Sequence, residues 1–208
     1  MTIVSSDHKN QLGLIGHDIA YSVSPKIHKA SAKLLQEHCD YRIFDIAENK
    51  VSQFLEKFWH HGGLGLNVTT PYKRLVGKLT SSSYLSVNTL YRGKNWWAAT
   101  STDGVGFCFA LKKVGLDLAR IKNIVILGNG GVVDSLLAEM SKVPFSRQVV
   151  ILRRNNSYDK DLLAYTSNSL LLTFKECTPH HLTNTLAGKK QDTLFIQATN
   201  APMHGESL

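Results

Sequence analysis

The sequence is poor in the features that mark a secreted, metal-binding or membrane-spanning protein. It has three cysteines, Cys39, Cys108 and Cys177, in 208 residues. An odd number so widely spaced makes neither a disulfide framework nor a metal-ligand set, so a reducing, cytoplasmic setting is expected. No apolar run approaches the ~20 residues that cross a bilayer. Met1 to Asn10 lacks the apolar stretch of a signal peptide, and no membrane partner is expected. The pairs His60-His61 and His180-His181 lack ligand spacing and no zinc-protease motif occurs, so no metal is expected. Internal repeats and low-complexity segments are absent. Basic runs are too: none exceeds Arg153-Arg154 or Lys189-Lys190, although the formal net charge is +8. A scattered surplus of this kind argues against nucleic acid, whose footprint is a clustered patch, and fits small anions such as a phosphorylated cofactor or a carboxylate substrate.

What is present is an ordinary globular composition, 43% hydrophobic and 19% charged, in a chain long enough for one large or two small domains. Strand-like and helix-like segments alternate. Leu12 to Ile15 is a short apolar run ending at Gly16. Ser24-Pro25 has the pattern of an N-cap followed by proline, opening a helix toward Cys39. Tyr41 to Ile46 alternates as a strand does, and Val51 to His60 places Phe54, Leu55, Phe58 and Trp59 on one helical face. Gly65 to Val68 predicts a third strand, Thr70-Pro71 a second capped helix, and Leu85 to Tyr91 with Trp96 to Ala99 a hairpin. After a helix from Asp103 to Val114, the branched run Asn123 to Leu127 has the character of a buried parallel strand. It leads through Gly128-Asn129-Gly130-Gly131 into a helix ending at Met140, then a strand from Gln148 to Leu152. Thr178-Pro179 caps a later helix, and Thr193 to Gln197 is a last strand. The expected fold is α/β: a mixed-sheet domain over residues 1–102 and a Rossmann-like domain over 103–208.

Several short segments carry chemistry. In the glycine turn, Gly128 permits a tight bend and Gly130 lets backbone approach a pyrophosphate at a helix N-terminus. The alternative is a bare strand-to-helix turn, and Val133 stands where glycine or alanine is usual. At the end of the next strand, where NAD-binding units place an acidic residue, the chain has Arg153-Arg154; guanidinium groups there suit a 2′-phosphate, hence NADP. The alternative is a solvated surface pair. Ser22 and Ser24 set two hydroxyls beside a helix start, an arrangement suited to a carboxylate, although an N-cap Ser24 would spend its hydroxyl on the helix. Asn67 and Thr69 share one side of a strand end. Lys73 falls in the first turn of the following helix, whose dipole opposes its charge and favours proton transfer. Alone it passes for an exposed lysine. Asp103 is either an N-cap or an ion-pair partner that would orient the Lys73 ammonium.

In this order, Ser22-Val23-Ser24-Pro25, Asn67-Val68-Thr69-Thr70-Pro71-Tyr72-Lys73, Val87-Asn88-Thr89, Thr102-Asp103-Gly104 and Gly128-Asn129-Gly130-Gly131 resemble the shikimate dehydrogenase family. The resemblance runs to Ile196-Gln197-Ala198-Thr199-Asn200. It implies two α/β domains with a cleft between them and reversible reduction of 3-dehydroshikimate with NADPH, on the way to chorismate and aromatic amino acids. It implies a substrate carboxylate on Ser22 and Ser24, and ring hydroxyls or carbonyl on Asn67, Thr69, Asn88 and Asp103. Lys73 with Asp103 is the implied acid/base group. The pyrophosphate falls to Gly128, Asn129, Gly130, Gly131 and Val132, and the 2′-phosphate to Arg154 with Arg153 beside it.

The sequence also departs from that pattern. It stops soon after Gln197, the stretch between Lys73 and Asn88 is short, and Gln197, Ser101 and Asp134 replace the usual asparagine, asparagine and basic residue. The Rossmann-like half is therefore expected to be incomplete, with exposed apolar sheet covered by further residues or, in a homodimer, by a second copy. Two other functions stay open: a protein that binds shikimate-like ligands without turnover, and a quinate/shikimate dehydrogenase using NAD, against which Arg153-Arg154 argues.

Overall fold

The computed structural model describes residues 11–142, 146–154, 162–166, 170–187 and 192–199. The chain divides into two compact units, Met1–Ser101 and Thr102–Leu208.

The first unit runs β1 (Gln11–Gly16), α1 (Ser24–Leu34), β2 (Asp40–Asp45), α2 (Val51–His60), β3 (Gly65–Val68), α3 (Lys73–Leu79), β4 (Thr89–Arg92) and β5 (Trp97–Thr100). Its sheet has the order β2-β1-β3-β4-β5. β1 pairs parallel with β2 and β3, while β4 pairs antiparallel with β3 and β5, so the sheet is mixed as expected. Alternate residues divide the faces. Ile15, Leu66 and Val68 join Phe54, Leu55 and Phe58 of α2 in one core, with Tyr72, Val76, Leu90 and Trp97. Leu14, Ile19 and Tyr41 form a smaller cluster. Helical spacing sends Phe54 and Phe58 to the same side, where their rings stack 5.5 Å apart.

Three expectations in this unit need correction. Ser24 is not an N-cap: Val23 holds that position, no side chain caps α1, and the helix ends at Leu34, short of Cys39. Thr70-Pro71 is a cis turn and caps nothing; α3 starts at Lys73. The hairpin's first strand starts at Thr89 rather than Leu85 because the Val87 N–H is taken by the Lys73 carbonyl at 3.0 Å, which binds this stretch to α3.

The second unit contains α4 (Asp103–Lys113), β6 (Asn123–Leu127), α5 (Gly131–Met140), β7 (Arg147–Arg153), β8 (Leu170–Glu176), α6 (Pro179–Leu186) and β9 (Thr193–Gln197). All four strands are parallel in the order β8-β7-β6-β9, the arrangement of a Rossmann-like half. One sheet face packs on α5 through Ile124, Ile126, Val149 and Ile151; the other meets α6 through Val125, Val150 and Leu152. Thr178 caps α6 as expected, its side chain accepting from the His181 N–H at 3.1 Å. β8 was not anticipated: its leucine-rich start carries no strand-specific signal. Arg147 is fully buried and donates to the carbonyls of Leu118, Ile121 and Met140 at 3.1, 3.3 and 3.1 Å, with burial pushing its pKa down. Among the described residues, no helix is long and apolar enough to cross a membrane.

Candidate functional site

In the first sheet the connections out of β1 and β3 leave in opposite directions, because β2 lies on one side of β1 and β3 on the other. The carboxyl ends of such strands form the crevice where open α/β sheets take ligands. Ser22 and Ser24 follow the end of β1; Asn67 and Thr69 lie at the end of β3. A Cβ on Gly16 would sit 2.7 Å from Thr69 Cγ2 and 2.9 Å from the Thr70 carbonyl, so glycine there lets the two strand ends close on one another. The Thr69 N–H donates to the Ile15 carbonyl at 3.0 Å and His17 N–H to Thr70 carbonyl at 3.2 Å, which holds them closed.

Freed from capping, the Ser24 hydroxyl enters a side-chain network. Ser22 Oγ donates to Ser24 Oγ at 3.0 Å, and the Ser24 N–H donates back to Ser22 Oγ at 3.3 Å. Ser24 hydrogen-bonds the phenol of Tyr41, whose O–H donates to Asn67 Oδ1 at 2.8 Å. Register explains the reach. Tyr41 lies beside Leu12 and Asn67 beside Leu14, so both project from one face and the tyrosine spans diagonally across β1. The His28 ring of α1 stacks on Tyr41 with centroids 4.1 Å apart and planes 8° from parallel. Burial pushes the Tyr41 phenol up to about 12, against the lowering effect of the Ser24 hydrogen bond. Tyr41 belongs to no motif in the sequence; its position as the inward-facing, polar-tipped residue at the start of β2 is the one signal of its role.

Lys73 is the first residue of α3 and half-buried. Its carbonyl accepts from Val87, and the Asn88 carbonyl accepts from Val68 N–H at 2.8 Å, so backbone bonds tie both residues to the end of β3. Thr89 Oγ1 donates to Asn88 Oδ1 at 3.0 Å. The first unit thus gathers Ser22, Ser24, Asn67, Thr69, Lys73 and Asn88 about the carboxyl ends of β1 and β3. Asp103 belongs to the second unit, as the first residue of α4, with no side-chain cap at Thr102.

The glycine turn stands at the corresponding switch point of the second sheet, between β6 and β9. Gly128 adopts φ 109°, and a Cβ there would lie 2.9 Å from the Ala198 carbonyl. Its N–H donates to the Leu152 carbonyl at 2.7 Å. Gly130 caps α5 without a side-chain bond, and an added Cβ would meet no atom within 4 Å. Asn129 and Gly131 are half-buried beside it, and Val132 packs on the sheet core. Val133, in place of glycine at the sixth position, is fully buried against the sheet. Asp134 is buried in the first turn.

Arg153 and Arg154 are not the solvated pair that the bland alternative supposed. Successive strand residues face opposite ways. Arg154 is exposed, while Arg153 is 3% exposed, with its guanidinium carbon 4.8 Å from the Phe174 ring centre. Neither Nε nor Nη1 of Arg153 has a hydrogen-bond partner among the described residues. Unmet charged donors inside a protein cost more than the ~1–3 kcal/mol of a neutral group. Two such donors at the end of β7, joined to the turn before an uncapped helix by the Gly128–Leu152 bond, with open space at Gly130, fit a phosphorylated dinucleotide.

One carboxylate cluster has another use. Ligand atoms of His17, Asp18 and Asp45 lie within 4.8 Å of one another. Asp45 accepts from the N–H groups of Asp18 and Ile19, at 3.2 Å each, and so holds the turn after β1.

Residues 14–85 match the family described as the shikimate dehydrogenase substrate binding domain. The NADP(+) shikimate dehydrogenase of Crocosphaera subtropica is 32% identical over 175 residues, 81% of this chain and 58% of that protein. The chain thus spans less than two thirds of that relative. The Lactococcus lactis subsp. cremoris enzyme of the same name is 29% identical over 207 residues, 94% of this chain and 71% of that one. Among solved structures, shikimate 5-dehydrogenase from Listeria monocytogenes, in complex with shikimate and NAD, superposes with a TM-score of 0.78 at 22% identity, covering 100% of this chain and 75% of that one. At that identity the likeness shows the fold.

Proposed function

We propose that this chain, which belongs to the shikimate dehydrogenase family, is an NADP-dependent oxidoreductase interconverting shikimate and 3-dehydroshikimate in the cytoplasm, on the route to chorismate. The observation that carries the reading is the hydroxyl and amide network of Ser22, Ser24, Tyr41 and Asn67 at the strand ends that Lys73 follows. Ser22 and Ser24 turn their rotatable hydroxyls to the substrate carboxylate. Asn67, Thr69 and Asn88 hydrogen-bond the ring oxygens and so exclude analogues that lack them. Lys73 holds a proton at Nζ for the carbonyl oxygen that becomes the alcohol and takes it back in the reverse direction. NADP, when bound, supplies hydride transfer. Gly128, Asn129, Gly130, Gly131 and Val132 would hold its pyrophosphate, and Arg153 with Arg154 its 2′-phosphate. The relatives named above act as NADP(+) enzymes, which supports the same cofactor here.

One observation favours a second reading, ligand binding without turnover: Asp134 puts a buried carboxylate in the helix turn that faces the pyrophosphate in the first reading. A single assay separates them. Wild-type protein is given shikimate or quinate with NADP or NAD, and the NADPH absorption band is followed. Turnover with shikimate and NADP is expected. Calorimetric binding of shikimate with no reduced cofactor would establish the second reading instead. NAD with quinate as the preferred pair would establish a quinate dehydrogenase. Light scattering on the same sample tests the homodimer.

A further inference from the structure

We propose that Tyr41 is a positioning residue that fixes the Asn67 amide for substrate and couples it to the serines that take the carboxylate. The inference rests on the reading of the site given above.

The argument begins with which atoms are committed. The donors form one directional chain, from Ser24 N–H to Ser22 Oγ, on to Ser24 Oγ, to the Tyr41 phenol, and from there to Asn67 Oδ1. With Oδ1 accepting, the Asn67 side chain has one orientation, and its amide NH2 is left as the outward-facing donor pair. An asparagine without that bond rotates or flips its amide, presenting oxygen or nitrogen with similar ease. A substrate oxygen then meets the wrong atom part of the time. Tyr41 removes that ambiguity before substrate arrives, a saving in ordering free energy.

Nothing in the surroundings of Tyr41 makes it reactive. Its phenol is buried, pinned by the His28 stack, and holds its proton throughout the working pH range, so it serves as a permanent donor. Hydrogen-bond chains of this type strengthen each member by polarisation. When the carboxylate takes the hydrogen of Ser24, the phenol loses a donor on one side and keeps its bond to Asn67 on the other. The two ends of the substrate are thereby linked through a residue that touches neither.

Ring contacts of this kind act alike in ground and transition states, so their loss raises KM more than it lowers kcat. Tyr41→Phe keeps the ring, the stack and the core packing and deletes the hydroxyl. The expected result is a KM for shikimate raised about tenfold, kcat changed less than about threefold, and an unchanged KM for NADP. In an Asn67→Ala background the same change should add almost nothing, since the residue through which it acts is gone. A merely structural tyrosine would impose its full penalty there too. Should Tyr41→Phe fail to fold, Ser24→Ala and Asn67→Ala, combined, give the same information: residues that the structure joins through Tyr41 should show coupling of at least about threefold in KM. Wild-type activity with Tyr41→Phe indistinguishable from it, or with additive penalties, overturns this inference alone. Wild-type protein with neither turnover nor calorimetric binding of shikimate overturns it together with the site reading.

Discussion

The backbone N–H of Gly104 donates to Ser135 Oγ at 2.8 Å, so α4 begins pressed against α5. A Cβ on Gly104 would lie 2.1 Å from the Ser135 carbonyl oxygen. Both atoms are backbone or fixed to it, and no rotamer change relieves the clash. Gly104→Ala is therefore expected to destabilise the second unit by about 1–3 kcal/mol. A urea titration would show this as a lower midpoint at unchanged slope. An unchanged midpoint would mean that the two helices stand further apart than described.

Lys73→Ala tests the proton-transfer role. Lys73 is half-buried at a helix start and its backbone carbonyl, untouched by the substitution, supplies the bond to Val87. Stability should change by less than about 0.5 kcal/mol. The kcat should fall by about a hundredfold or more, with shikimate still bound by calorimetry. A variant retaining most of its kcat would remove Lys73 from the chemistry.

How far the sequence foretold these features depended on the signal at each place. The β6–turn–α5 element was legible because three cues coincided there: a branched apolar run, glycines and a helical pattern, with only the role of Val133 unforeseen. Ser24 differs from expectation because Ser-Pro carries the same local signature whether the serine caps the helix or begins it; the structure gives its hydroxyl to Ser22 instead. Tyr41 escaped notice for a related reason. Its bond to Asn67 spans 26 positions and exists only because β1 is inserted between β2 and β3. Arg153 and Arg154 look equivalent in sequence, and strand alternation makes one buried and one exposed.

The raised phenol of Tyr41 has a measurable consequence for stability. Its proton is released more readily from the unfolded chain than from the fold, whose phenol is held up to about 12. The associated stabilisation is complete below the ordinary tyrosine value of about 10 and is lost as pH rises through the folded value. Between those limits wild type should lose roughly 2–3 kcal/mol more than Tyr41→Phe. Denaturant midpoints of both proteins on either side of this window check it, and parallel curves would contradict it.

Arg153→Met distinguishes a cofactor ligand from a structural stack. Methionine fills much of the space over Phe174 and removes two unmet donors, so stability should hold or rise. Binding of NADP should weaken about tenfold while that of NAD weakens far less. Equal losses for both dinucleotides, measured by calorimetry, would show that the guanidinium does not address the 2′-phosphate.

Two glycines of one turn, identical on the page of a sequence, are there for opposite reasons. At Gly128 a side chain would strike Ala198 and demand a strained backbone; at Gly130 it would project into empty space. A serine at the latter position would leave the sheet and its helices intact while obstructing whatever anion approaches them. Folding of this half and the dinucleotide binding proposed for it are thus separately mutable, and a lineage can surrender the second without disturbing the first.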